Sequence, residues 1–266
     1  MTTPFKHRCA FCDEPAKLTK EHLWPKWTRK HLRYSGQRHQ QAFIVWGDEG
    51  TTERRRTYGG DARNSGPKAP CGACNGGWMG GVEIAAQPFL TPLIKGNSII
   101  LGEAGQKAVA TWVTMKTMVA EYFDPKQIAV PLEERQYLRD HLRPPDNWRI
   151  WIGNYEREKW AGQWAHGAAG VHSIRTPTRN LDRPNTQSTT FVVGHLYANV
   201  FSSEVRHLVD CISLGEIGKT KIAQIWPIQE QIVAWPKTPL DDTDADICAT
   251  ALHDGLRAMF ATPTGD

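Results

Sequence analysis

The sequence predicts an α+β fold in two parts, a small metal-braced module over residues 1–95 and a mixed α+β domain over residues 100–266. Three observations lead there. Four of the six cysteines stand as two CxxC pairs, Cys9/Cys12 and Cys71/Cys74. From about residue 105 the apolar pattern turns helical, then gives way to runs rich in β-branched and aromatic residues. No internal repeat or low-complexity tract interrupts these runs, so they should form one compact α+β unit.

In chain order, residues 1–28 hold the first cysteine pair and the dipeptide Glu21-His22. Residues 29–70 form a long polar and basic insertion around one short apolar run, "AFIVW", which reads as a strand between Gly-, Pro- and Asn-rich loops. The second pair and a short helix disturbed by Gly80, Gly81 and Pro88 complete the module. Val109, Trp112, Val113, Val119 and Tyr122 then mark one face of a buried helix. "PLEERQYLRDHL" reads as a second, more exposed helix ended by Pro144 and Pro145. Strand-like runs follow at "NWRIWIGNY", "TTFVVGHLYANVF" and "IAQIWPIQEQIVAWP", and "DADICATALHDGLRAMF" reads as a last helix behind acidic residues.

At 266 residues, 40% hydrophobic and 23% charged, the composition is that of an ordinary globular protein. No apolar run of about 18 residues argues for a membrane span, and no apolar leader is visible, so a cytoplasmic protein is expected. There, paired cysteines are metal ligands or redox centres rather than structural disulfides. Charge is uneven. Residues 1–80 carry 14 Lys+Arg against 7 Asp+Glu, and the remainder 18 against 21. The positive excess of the module suits a polyanionic partner.

Cys9, Cys12, Cys71 and Cys74 can aim four thiolates at one point, which is the ligand set of a closed, structural Zn²⁺ site. A dithiol redox pair would not need a matching second pair. Cys211 and Cys248 stand alone on apolar elements and read as ordinary buried thiols. If one zinc closes both pairs, Glu21, His22 and Asn75 are drawn to a common locus. A carboxylate and an amide oxygen suit a hard cation such as Mg²⁺, and a neutral imidazole suits the deprotonation of a water.

Over residues 5–85, "CAFC…KEHLWPKW…CGACN" resembles the HNH (ββα-metal) endonucleases, in particular their zinc-braced members. The resemblance implies a β-hairpin followed by a helix, with Glu-His ending the first strand and Asn at the helix start. It implies a phosphodiester hydrolase with His22 as general base and Glu21 and Asn75 holding Mg²⁺ or Mn²⁺. The family's middle position holds the hairpin loop and orients the histidine, and Asn64, shortly before the strand feeding Cys71, is the residue expected there. Two features depart from the family pattern: the acid is most often Asp, and the stretch between the pairs is longer here.

Among other residues, Lys20, Lys26 and the run Arg54, Arg55, Arg56 are candidates for nucleic-acid backbone contact, against a solvated-charge reading. Arg29 and Lys30 flank the dipeptide similarly. Glu83 would either join the metal shell or pair with a nearby basic residue. Trp24, Trp27 and Trp78 read as packing around the module. The expected partner is double-stranded DNA. The C-terminal domain would serve recognition or sensing, as in restriction or phage-defence enzymes, or dimerisation into a homodimer. The competing reading is a zinc-binding nucleic-acid-binding protein with an idle site.

Overall fold

In the computed structural model, which describes residues 7–32, 38–47, 50–157, 159–160, 162–171 and 183–250, the first cysteine pair opens the fold as a tight knuckle. Asp13 turns it with a left-handed backbone (φ 59°), a conformation Asp tolerates better than most side chains. Its N–H donates to the Cys9 carbonyl at 3.0 Å, and its carboxylate accepts two bonds from Arg8 at 2.7 and 2.8 Å. Strand β1 (Leu18–Lys20) and a 3₁₀ turn (Lys26–His31) follow. The insertion then carries an antiparallel hairpin of β2 (Arg38–Gly47) and β3 (Gly50–Gly59), with the expected apolar strand inside β2. Strand β4 (Lys68–Cys71) returns to pair antiparallel with β1, Leu18 opposite Cys71 and Lys20 opposite Lys68.

A single helical turn, α1 (Gly72–Cys74), and a π-helical turn (Asn75–Met79) lead into α2 (Gly80–Lys95). The expected disturbance at the glycines and Pro88 does not break α2, which runs through Pro88 and Pro92. Pro88 lies on the exposed side, where the carbonyl left without a donor can face water. Val82, Ala86, Leu90, Leu93 and Ile94 form the buried stripe, and Gly96 ends the helix at φ 71°, where a side chain would be strained.

After β5 (Ile99–Leu101), helix α3 (Glu103–Ala120) is buried on all sides from Val109 onward, the pattern of a central helix rather than a surface one. Helix α4 (Leu132–His141) precedes β6 (Trp148–Asn154), β7 (Trp164–Ala169), β8 (Thr186–Val193) and β9 (Leu196–Ser203). Helices α5 (Arg206–Cys211) and α6 (Gly215–Thr220), then β10 (Ile222–Trp226) and β11 (Val233–Trp235), follow. A helical run spans 242–250, and the rest of the last expected helix lies outside the described residues. The main sheet is antiparallel in the order β10-β6-β9-β8-β7, and β5 pairs with β11.

The sheet is covered on both faces, and side chains alternate between them. Ile150, Ile152, Ala198, Val200 and Val193 join one buried cluster, while Trp151, Tyr197, Phe201 and Val192 join another. The first cluster does not stop at the sheet. It continues through α3 and α2 to Cys9, Phe11, Leu23 and Trp24, so the cysteine knuckles and the Glu-His segment share one core with the main sheet. Trp27 and Trp78 pack against the same cluster. Cys248 is buried, but Cys211 is exposed, contrary to the sequence reading. The short helix α5 buries Leu208 and Val209 and leaves its C-terminal residue to solvent.

Gly66 marks a close backbone approach. A Cβ there would lie 2.0 Å from the carbonyl oxygen of Glu21 and 2.9 Å from the Cα of His22. Gly66→Ala is therefore expected to destabilise the protein by about 1–3 kcal/mol or more, as overpacking against backbone does. A shift of the urea unfolding midpoint, with the slope unchanged, would measure it.

Candidate metal centre and the Glu-His site

Pairing of β1 with β4 sets the first knuckle beside the second. The N–H of Ala10 donates to the carbonyl of Ala69 at 3.0 Å, and Cys71 ends β4 opposite Leu18. The Sγ atoms of Cys9, Cys12, Cys71 and Cys74 consequently lie within 4.8 Å of one another, with Cys12 and Cys71 at 3.9 Å. Four thiolates around one zinc at about 2.3 Å would stand about 3.8 Å apart, so the cluster can hold a structural metal such as zinc. Backbone N–H groups already point at the sulfurs: Cys71 donates to Cys9 Sγ at 3.2 Å and Cys74 to Cys71 Sγ at 3.4 Å. Burial alone would raise the Cys9 pKa, but the N–H groups of Phe11, Cys12 and Cys71 more than offset it and bring it down to about 7. Burial pushes Cys74 up instead.

Beyond β1 the chain stays against the strand segment that precedes β4. Glu21 N–H donates to the carbonyl of Pro67 at 3.0 Å, and Leu23 N–H to that of Ser65 at 3.1 Å. Glu21-His22 is thus fixed at the end of β1. Asn75, directly behind Cys74, reaches across to the same place. Its Nδ2 donates to Thr19 Oγ1 at 3.0 Å and to the carbonyl of Lys20 at 3.3 Å, so Oδ1 is left on the opposite side of the amide. Residues more than fifty positions apart in sequence meet because the cysteine cluster and the β1–β4 ladder leave them no alternative.

The Glu21 side chain is buried and does not stand alone. Lys116, 1% exposed in the C-terminal half of α3, donates to Glu21 Oε1 at 2.5 Å, Glu83 Oε1 at 2.7 Å and the carbonyl of His22 at 2.9 Å. Of the two readings of Glu83, pairing with a basic residue is the one seen. His22 is half-buried, and its pKa is lowered by that burial first, then by the charges of Lys20, Arg29, Lys116 and Lys26. The imidazole is consequently held in its neutral form near pH 7.

No family model, curated protein or solved structure matches the chain.

Asn64 ends a 3₁₀ turn (Ala62–Asn64) two residues before Gly66. Its Oδ1 is buried and has no hydrogen-bond partner among the described residues. It lines a cleft of about 440 Å³ with Lys20, Asp61, Lys68, Tyr122 and Phe123. Lys20 and Lys26 are exposed, and their charges act on His22. Arg54, Arg55 and Arg56 lie on β3 opposite Phe43, Ala42 and Gln41, and their side chains lie outside the described residues. Lys116 is the site residue that the sequence reading missed. The available signal was a lone lysine within "WVTMKTMVA", an otherwise apolar stretch, which requires a buried partner.

Two outcomes follow from this geometry. Elemental analysis should find one zinc per chain, lost in Cys74→Ser together with the native circular dichroism of the module, because structural zinc contributes folding energy outright. An NMR titration should place the His22 imidazole below the ordinary value of about 6.5. Because the folded value is the lower one, the stability it contributes is present above the unfolded pKa. That stability is lost as pH falls through the folded pKa.

Proposed function

We propose that the chain is a metal-dependent endonuclease of the HNH (ββα-metal) type that hydrolyses phosphodiester bonds in DNA. The observation that carries this reading is the Asn75 amide bonded to the carbonyl of Lys20, beside Glu21-His22, in a hairpin and helix clamped by four cysteines. A binding module has no need of a neutral imidazole beside two hard oxygen donors.

The donor set fits a hard cation. Lys116 occupies Glu21 Oε1 and leaves Oε2, while Asn75 spends its Nδ2 and leaves Oδ1. Glu21 and Asn75 would hold Mg²⁺ or Mn²⁺, which when bound stabilises charge on the attacked phosphate and on the leaving 3′ oxygen. His22, neutral at pH 7, takes the proton of the attacking water. Lys20 and Lys26 neutralise flanking phosphates and set the strand's position without reading its sequence. The cysteine cluster does no chemistry. It clamps the first knuckle to the start of the helix and so holds the distances within the site.

The ion pair of Glu21 with Lys116 favours a second reading, in which the acid is permanently neutralised and the protein binds nucleic acid without cutting it. Incubating supercoiled plasmid with Mg²⁺ separates the two. Nicking by the wild type is expected to drop about 10²–10⁴-fold in His22→Ala, the range for loss of a general base, while DNA affinity is retained. Equal behaviour of both proteins would leave the binding reading.

A further inference from the structure

A lysine buried to 1% exposure is costly unless its charge is matched, and Lys116 is matched three times over. Its ammonium has three donors, and the carboxylates of Glu21 and Glu83 and the carbonyl of His22 take all three, at 2.5, 2.7 and 2.9 Å. One atom therefore restrains both the side chain of Glu21 and the peptide of His22. That atom belongs to α3, which packs under the main sheet and lies 95 residues further along the chain.

We propose that Lys116 is a positioning residue of the hydrolytic site: it fixes Glu21 Oε1 and the His22 carbonyl so that Glu21 Oε2 and the imidazole face the substrate, and its charge weakens divalent-cation binding at Glu21. The inference rests on the nuclease reading above for its catalytic part only. Glu21 and Glu83 share one cation. Removing it leaves two adjacent carboxylates, a stronger but unoriented attractor for a divalent ion.

Lys116→Met separates orientation from charge, with Mn²⁺ binding followed by EPR and plasmid nicking followed in parallel. Mn²⁺ should bind about threefold tighter or more once the neighbouring positive charge is gone. Turnover should fall about 10–100-fold, as when a partner that orients a metal ligand is lost, with DNA affinity unchanged. Lys116→Arg, which keeps the charge, should restore wild-type Mn²⁺ affinity. A merely structural lysine would not move the two readouts in opposite directions. Unchanged Mn²⁺ affinity, or both falling together, would overturn the proposal.

Should Lys116→Met fail to fold, Glu83→Gln decides, because it leaves Lys116 on Glu21 and His22. Weaker Mn²⁺ binding with turnover close to wild type supports the proposal. A loss as deep as that of His22→Ala overturns it, because the working acid would then be Glu83. Tighter Mn²⁺ binding in Lys116→Met, alongside a wild type that never nicks DNA, would refute the nuclease reading and leave the charge effect of Lys116 standing.

Discussion

Four sulfurs converging on one point are the constraint from which the N-terminal architecture follows. A three-residue strand paired with a four-residue one buries little by itself, and two-stranded hairpins are marginal in water. The cluster adds a clamp to the core that these strands share with α2 and α3. Cys71 ends β4 and Cys74 ends α1, so the start of the helix cannot drift from the hairpin. Asn75 is the next residue, and its amide meets Thr19 and Lys20 as a direct result. Phe11, edge-on to Trp78 at 5.2 Å, is the apolar supplement that ties the first knuckle to the turn before α2.

Electrostatics at the site work in two opposed ways. The surroundings of His22 are cationic, which disfavours an imidazolium. Beside it a carboxylate is buried, and a buried carboxylate needs a resident partner. Lys116 meets that need from the interior side. The same device recurs nearby, where the buried pair of Glu121 and Arg135 closes the region after α3, with Glu121 also accepting from the N–H groups of Ala129 and Val130. Ionic groups in this core are saturated with partners rather than merely tolerated.

Much of this arrangement was legible in the amino-acid order. Two CxxC pairs can scarcely do anything but meet, and with them the residues directly attached, so Glu21, His22 and Asn75 could be nominated before any coordinates. The mixed α+β character was legible from the change of period after residue 105. What escaped was anything that depends on how distant elements stack. Lys116 stands in a helix whose apolar face was plain, but which of its faces meets Glu21 is set by tertiary packing. The same holds for Cys211, read as a buried thiol on an apolar element but left to solvent at the end of α5. Proline within α2 misled in the other direction, because local propensity cannot tell which side of a helix faces water.

The insertion that carries β2 and β3 leaves the chain beyond Leu32 and rejoins it at Gly60 and Asp61, just ahead of the segment braced against Glu21. Its two ends are pinned by structure that does not involve its middle. Closing a loop costs only slightly more entropy as the loop grows, so this arm is free to vary in length and sequence at little thermodynamic expense. Residues added to or removed from it would alter its reach while the β1–β4 ladder and the cysteine cluster stay fixed.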